Sequence, residues 1–288
     1  AVSLATLYAY VSRGMIRSEP RPGSRARLYR VEDVRALKGR HAEPPPPGRA
    51  DAALDFGPPI LESAISLVSG GRLFYRGRDM ADLARSSRLE AVAALIWDCA
   101  DEDPFAAPPS AASWPDLGAA LPPVARCMVG IPLLAEAWPR RFDRSPAGVR
   151  LSGAQLLRWS AALLAGRRPS QAPVHEVLAE AWGAGDAAGI LRAALVACAD
   201  HELNASTFTV RVTASTGATP DQALVAGFAC LQGPRHGGAA ERAARLLDEA
   251  LAVGPEASVA GRLRRGEALD GFGHPLYPDG DPRARVLL

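Results

Sequence analysis

Three histidines in the C-terminal third of the chain stand in polar or glycine-rich contexts where they could do chemistry together. They are His201 in the string HELNASTF, His236 in GPRHGGA and His274 in GFGHPLYPDGDPR, which ends at Arg283. Histidine gains or loses a proton near neutral pH, and arginine offers a planar fork of donors to a carboxylate. If the folded chain brings these side chains together, they would suit a site that binds a carbonyl compound carrying carboxylates.

The flanking residues indicate how each histidine could act. His236 lies between Gly-Pro and Gly-Gly, where backbone can approach a substrate closely, and a helix is predicted to begin near Ala239. A helix N-terminus favours negative charge and keeps a nearby imidazole neutral, so His236 could donate a hydrogen bond to a developing enolate. Asn204, Ser206 and other polar neighbours of His201 could satisfy that histidine or a ligand.

Metal binding and a purely structural role are the alternatives for these histidines. The chain has no HExxH string and no short ligand spacing of the kind zinc sites use, so we expect no metal. A single histidine would more often be a satisfied structural residue. Three of them in turns flanked by glycine or polar residues favour a functional site.

The elements that must position these residues are predicted to be helices. Alanine and leucine recur at helical spacing between glycine and proline breaks, over residues 79–86, 89–100, 151–166, 173–182, 187–200, 205–217, 220–231 and 238–252. Residues 73–78 form a short strand or turn candidate, and residues 101–123, rich in proline, serine and alanine, are predicted as loop. Alternating β-branched runs are scarce, so the predicted fold is mainly α.

Composition is typical of a globular protein outside the membrane. The 288 residues are 48% hydrophobic, and no apolar run reaches the roughly 18 residues that a membrane helix needs. The four cysteines lack CxxC spacing and lie in apolar stretches, which predicts reduced core thiols and a cytoplasmic location. Charge is uneven, because residues 1–50 carry a net charge of +6 and the remainder −4. A basic head on an acidic body predicts separate modules.

The basic head, residues 1–40, resembles the winged helix-turn-helix of the MerR/excisionase type. A helix predicted from Ser3 to Gly14 is followed by an arginine-rich turn and a second helical pattern at Val31, Val34 and Leu37. The resemblance implies DNA contacts from a recognition helix and a wing. The residues concerned are Thr6, Tyr8, Tyr10, Arg13, Arg25 and Arg27. The alternative is a small helical head that only packs on, or tethers, the body.

The body resembles the citrate synthase family. HELNASTF, GPRHGGA and GFGHPLYPDGDPR look like that family's signature segments, and they occur in the family's order; Leu73-Phe74-Tyr75-Arg76-Gly77-Arg78 is similar to its N-terminal YRG segment. The resemblance implies an almost wholly helical fold of a large and a small domain. The expected division is a partial winged helix-turn-helix at 1–40, a proline-rich linker at 41–55, a large domain at 56–235 and an incomplete small domain at 236–288.

The resemblance also implies an activity and a role for each site residue. The activity is condensation of acetyl-CoA with oxaloacetate to citrate and CoA, with coenzyme A as substrate, no metal or redox cofactor, and a homodimer as the working form. His201 and Arg283 would bind oxaloacetate carboxylates, His236 would stabilise the acetyl enol, and His274 would polarise the ketone. The backbone of Gly271, Phe272 and Gly273 would face the adenine end of coenzyme A.

The chain departs from the family pattern at its ends. The family's aspartate base and two further arginines lie beyond the DPR segment, so we expect this polypeptide to be a truncated, inactive piece of a synthase. The alternative is a natural short form that senses citrate or oxaloacetate and binds DNA. Ala240 stands where the family often has asparagine, a change we expect to be tolerated. A 2-methylcitrate synthase using propionyl-CoA also remains open, since one methylene gives only about 1–3 kcal/mol of discrimination.

Overall fold

The computed structural model describes residues 11, 16–20, 27–34, 63–99, 102–110, 114–117, 120–201, 203–274 and 276–288. The chain divides into two compact units, residues 1–60 and 61–288. Within the described ranges, no helix combines the length and apolar character that crossing a bilayer requires.

The first unit contains an antiparallel hairpin followed by a helical turn. Strand β1 (Ser18–Pro20) pairs with β2 (Arg27–Tyr29), with Ser18 opposite Tyr29, and residues 31–34 are helical. The guanidinium of Arg17 forms a two-pronged ion pair with Asp33, at 3.0 Å from Nε and 2.8 Å from Nη2, which joins the hairpin to that turn. The helix predicted from Ser3 to Gly14 lies outside the described residues, except for Val11, which is helical.

The second unit is a helical assembly with one small sheet. The sheet is antiparallel in the order β3 (Ser66–Ser69), β4 (Arg72–Tyr75) and β5 (Arg78–Asp79). The helices are α1 (Met80–Ser86), α2 (Leu89–Ile96), α3 (Pro123–Glu136), α4 (Pro146–Ala165), α5 (Val174–Ala181), α6 (Ala188–Ala197), α7 (Ala205–Ser215), α8 (Pro220–Leu231), α9 (Gly238–Val253), α10 (Pro255–Arg264) and α11 (Pro282–Leu287). Single 3₁₀ turns occupy Pro139–Phe142 and Gly185–Ala187.

Local sequence explains where the central helix α4 begins and ends. The Ser145 hydroxyl accepts a hydrogen bond from the Gly148 amide and Pro146 occupies the first turn, both of which favour helix initiation. Gly166 ends the helix in the left-handed conformation at φ 66°, which glycine adopts at little cost. Helix α4 packs on α3 through Gly130, where a Cβ atom would come within 2.5 Å of Leu163 Cδ2. Glycine is therefore what allows the two helices to approach this closely.

Four apolar clusters lie in the described part of the second unit, and two of them pack around large buried side chains. One surrounds the fully buried Tyr75 and Met80 and includes Val196 of α6. The other surrounds Trp159 of α4, which is 1% exposed, and Ile131 of α3. The first cluster lies directly beneath the end of α6, so it fixes the point at which the chain enters the HELN segment.

The structure confirms the mainly α prediction, the eight predicted helices and the small extent of strand in the described residues. Sequence reasoning missed α3, α10 and β3. It also carried the predicted helix over 89–100 too far: α2 ends at Ile96, and Asp98 has a positive φ of 57°. The described parts of residues 101–122 contain no helix or strand, as predicted.

Candidate active site

Contacts between α1, α6 and the sheet fix the segment that carries His201. The hydroxyl of Tyr75 lies 3.0 Å from the carbonyl oxygens of both Val196 and Ala197, at the last turn of α6, and its one proton is shared between them. Arg192 of α6 donates from Nη1 to the carbonyl of Ser87 at 2.7 Å, just past the end of α1. The chain therefore leaves α6 from a rigid base, and His201 follows four residues later.

His201 belongs to a compact cluster with residues of the distant 271–283 segment. Its Nε2 atom lies 2.8 Å from the hydroxyl of Tyr277, and its ring centroid lies 5.1 Å from that of His274, with the rings at 89°. The Tyr277 ring is also 5.2 Å from His274, and the guanidinium carbon of Arg283 lies 5.8 Å from the Tyr277 ring centroid. Three of the four predicted site residues thus meet around a tyrosine that sequence reasoning did not select.

The surroundings of His201 keep it neutral. Partial burial, then the positive charge of Arg283 and the proximity of His274, lower the pKa of His201 to about 4. A neutral imidazole has one protonated and one bare nitrogen, so it can donate one hydrogen bond and accept another.

Arg283 is held by the aspartate two residues before it. Its Nη2 atom lies 2.6 Å from Asp281 Oδ2 and its Nε atom 3.0 Å from Oδ1, while Oδ1 also caps α11 by accepting from the Arg283 amide. Burial alone would raise the pKa of Asp281, but the hydrogen bonds and charge of Arg283 outweigh it and the net shift is downward. This pairing fixes the plane of the guanidinium, and Nη1 takes no part in it.

His236 makes a separate contact, with the first turn of α7. Its Nε2 atom lies 3.0 Å from the Ser206 hydroxyl oxygen, which is itself 2.8 Å from Asn204 Oδ1. Asn204 is the N-cap of α7 and accepts from the Thr207 amide at 3.0 Å. Ser206 was a candidate partner for His201, but the structure pairs it with His236. The HELNAS segment therefore contains His201, contacts His274 through His201, and contacts His236 through Ser206.

The His236 loop leads into α9 through two glycines, as predicted, with the helix beginning at Gly238. A Cβ atom on Gly237 would lie 2.4 Å from the Leu231 carbonyl oxygen, so only glycine fits there. Within the first turns of α9, Arg242 donates from Nε to Asp270 Oδ1 at 2.9 Å and from Nη1 to the Pro234 carbonyl. Arg242 therefore joins the loop of His236 to the segment of His274. Sequence reasoning missed it because nothing distinguishes it from the other arginines of α9.

The residues predicted to contact coenzyme A form an exposed turn. Gly271 and Gly273 have positive φ angles of 91° and 80°, and Phe272 is 71% exposed. Gly271 approaches α9 closely, since a Cβ there would lie 3.1 Å from the Ala243 Cβ. The coenzyme A contact itself stays a prediction.

The predicted DNA-contacting residues fall mostly outside the described ranges. Thr6, Tyr8, Tyr10, Arg13 and Arg25 lie there, while Arg27 is placed at the start of β2. As for metals, the described residues contain no group of three or more histidine, cysteine, aspartate or glutamate side chains able to hold an ion.

The three histidines and Arg283 lie in a segment that matches a known protein family. Residues 147–288 match the family model described as citrate synthase, C-terminal domain. Residues 147–288 are therefore similar to the C-terminal domain of citrate synthases. The chain is 53% identical over 93 residues to a Mycobacterium tuberculosis protein provisionally named citrate synthase 2, and 44% identical over 95 residues to citrate synthase 2 of Bacillus subtilis. These alignments cover 32% and 33% of this chain but only 25% and 26% of those proteins, about a quarter of the length of the curated relatives.

Solved structures share the fold over a longer stretch. The citrate synthase of Thermotoga maritima superposes with a TM-score of 0.57 and 25% identity, over 80% of this chain and 69% of that one. A ternary complex of the Thermoplasma acidophilum citrate synthase with carboxymethyl coenzyme A and oxaloacetate superposes with a TM-score of 0.61 and 22% identity, over 83% and 71%. The likeness extends beyond the family match into the first half of the chain, so the helical fold over about four fifths of the chain is that of solved citrate synthases.

Proposed function

We propose that this protein condenses acetyl-CoA with oxaloacetate to give citrate and coenzyme A. The observation that supports the proposal most is the convergence of His201, His274 and Arg283 around Tyr277, from two segments more than seventy residues apart. One cationic and two imidazole donors within this small space suit a keto diacid, whose carboxylates and ketone need such partners. The match of residues 147–288 to the citrate synthase C-terminal domain supports the same proposal.

The hydrogen bond of His274 suits it to polarise the ketone. Its Nδ1 atom accepts from the Leu276 amide at 3.2 Å, so in the neutral ring the proton is on Nε2. An Nε2–H donor can stabilise the negative charge that develops on the ketone oxygen during carbon–carbon bond formation. In the proposal, Arg283 holds a carboxylate through Nη1, because its other two nitrogens face Asp281.

His236 is the proposed donor to the acetyl thioester oxygen. A neutral imidazole near the start of α9 could stabilise the enol without first losing a proton. The exposed turn at Gly271, Phe272 and Gly273 would contact the adenine end of the coenzyme. The coenzyme enters as a substrate, and the proposed chemistry requires no resident cofactor or metal.

Two readouts test the proposal. Isothermal titration with oxaloacetate measures binding by the 288-residue chain, and a thiol-reactive dye measures coenzyme A release in the protein expressed from its complete reading frame. We expect oxaloacetate binding and oxaloacetate-dependent release, both strongly reduced in His274→Gln. The matched control is His175→Gln, which changes a buried histidine of α5 outside the cluster. Release that does not depend on oxaloacetate would contradict the proposal. The same assay with propionyl-CoA decides between citrate and 2-methylcitrate synthesis.

We also propose that the first unit contacts DNA. The hairpin β1–β2 lies where the wing was predicted, and the first fifty residues carry a net charge of +6. Contacts to phosphate release counterions, so binding to a labelled duplex should weaken steeply with salt. Arg27→Ala and Arg25→Ala should each reduce that salt dependence, and a salt-independent signal would contradict the proposal. If the chain is instead a ligand-sensing regulator, citrate or oxaloacetate should change the affinity for DNA.

The proposed working form is a homodimer. Apolar side chains spaced four residues apart form exposed stripes on α3 (Val129 and Leu133) and on α7 (Phe208 and Val212). Such stripes favour burial against another surface. Light scattering coupled to gel filtration measures the mass directly, and a monomer at tens of micromolar would contradict this proposal.

A further inference from the structure

Tyr277 lies at the centre of the candidate site, within the GFGHPLYPDGDPR string but not among the site residues predicted from it. Its side chain is 2% exposed, and its ring contacts His201, His274 and Arg283. The backbone holds it there through a turn in which the Tyr277 amide donates to the His274 carbonyl at 2.9 Å. A tyrosine so enclosed cannot move without moving the three groups around it.

The hydroxyl of Tyr277 lies 2.8 Å from Nε2 of His201, a distance at which either group could donate. A phenol is a strong donor and a bare imidazole nitrogen is a strong acceptor, which favours an O–H···Nε2 bond. Burial keeps His201 neutral by lowering its pKa to about 4. In that arrangement Nε2 is the acceptor, which requires the single ring proton of His201 to be on Nδ1.

His274 is held in the opposite form. Its Nδ1 atom accepts the Leu276 amide at 3.2 Å, which leaves the ring proton on Nε2. The two rings lie nearly perpendicular, 5.1 Å apart. The same short segment, residues 274–277, therefore sets the tautomers of both histidines, one through a backbone amide and one through the tyrosine hydroxyl.

We infer that Tyr277 is a positioning residue that holds His201 as its Nδ1–H tautomer, so that His201 and His274 present two neutral N–H donors to one keto acid. The Nδ1–H form is the less populated tautomer of a free histidine side chain, so a partner must select it. Neutral donors can bind a carboxylate and a ketone together without adding two further positive charges beside Arg283. The identity of the ligand rests on the proposed function, whereas the tautomer does not.

The test is to read the protonated nitrogen of each histidine directly. Nitrogen-15 histidine labelling with long-range proton–nitrogen correlation at pH 7 distinguishes the two tautomers, and the His201→Gln variant assigns the His201 signals. We expect an Nδ1–H pattern for His201 in the unaltered chain and an Nε2–H pattern in Tyr277→Phe. Tyr75→Phe is the matched control, because it removes another buried hydroxyl, one that donates to backbone carbonyls of α6. It should leave His201 unchanged.

Two results would overturn the inference. One is an Nε2–H pattern for His201 in the unaltered chain, a measurement that needs no variant to fold. The other is the same tautomer in the unaltered chain and in Tyr277→Phe. Titration with oxaloacetate adds a second readout, with a loss of affinity of about tenfold expected in Tyr277→Phe. If oxaloacetate does not bind at all, the proposed function loses its support while the spectra still decide the tautomer.

Discussion

The Nε2 atom of His236 and the hydroxyl oxygen of Ser206 lie 3.0 Å apart, and that hydroxyl has a second acceptor in Asn204 Oδ1 at 2.8 Å. A hydroxyl carries one proton, so it donates either to Asn204 or to His236. If it donates to Asn204, His236 must donate from Nε2 and its Nδ1 is bare. If the hydroxyl turns to His236, the ring proton moves to Nδ1, where the proposed role at the thioester oxygen needs it. Asn204, the N-cap of α7, and His236 therefore compete for the single proton of the Ser206 hydroxyl.

Replacing Ser206 with alanine should therefore reduce turnover more than stability. The change removes the partner of His236 but leaves the Asn204 cap, which holds the Thr207 amide independently. Losing one orienting hydrogen bond corresponds to roughly a tenfold fall in kcat. Steady-state coenzyme A release measures it. The control is Ser215→Ala, which deletes an exposed hydroxyl that bonds within the same helix. Equal losses in both variants would contradict the assigned role.

Arg242 is predicted to couple the His236 loop to the His274 segment. Arg242→Ala removes the bonds to Asp270 and to the Pro234 carbonyl, so both segments should lose protection from hydrogen exchange and kcat/KM should fall. Peptide-level exchange over residues 233–238 and 266–281 measures this. Arg245→Ala, one turn later, breaks only an exposed pair with Glu241 and should change neither segment. Faster exchange confined to α9 would argue against the coupling.

The lowered pKa of His201 predicts a specific loss of stability on acidification. The ordinary pKa is 6.5 and the folded value is about 4, so the unfolded chain binds a proton more readily than the folded chain. The stabilisation is fully present above pH 6.5 and is lost progressively as pH falls towards 4. Urea unfolding midpoints from pH 7.5 to 4 measure the slope. His201→Gln should flatten the curve in that window, and an unchanged slope would show that other groups cause it.

The sequence predicted the site residues better than it predicted the helices and contacts that hold them in place. The polar neighbours of His201 and the glycine neighbours of His236 and His274 marked these histidines, because three histidines in such contexts favour a functional site over a structural one. Tyr277 was not predicted as a site residue, since an aromatic residue between two prolines has the same local pattern whether it fills a turn or organises a site. Helix α3 was missed because Pro132 and Gly130 interrupt its helical pattern, yet packing against α4 overrides them. What could not be predicted were tertiary contacts, which no local pattern encodes.

A pair of glycine substitutions separates a position that shapes the site from one that does not. Gly237→Ala would put a methyl group 2.4 Å from the Leu231 carbonyl oxygen, which is backbone and cannot rotate away. The loop carrying His236 must then shift, and overpacking of this kind costs about 1–3 kcal/mol of unfolding free energy. Gly189→Ala in α6 meets no atom within 4 Å and should stabilise by about 0.5–1 kcal/mol, because alanine favours helix. Denaturant unfolding measures both. A Gly237→Ala protein as stable and active as the unaltered one would mean that the loop can relax without displacing His236, and the close approach to Leu231 would then have no part in positioning it.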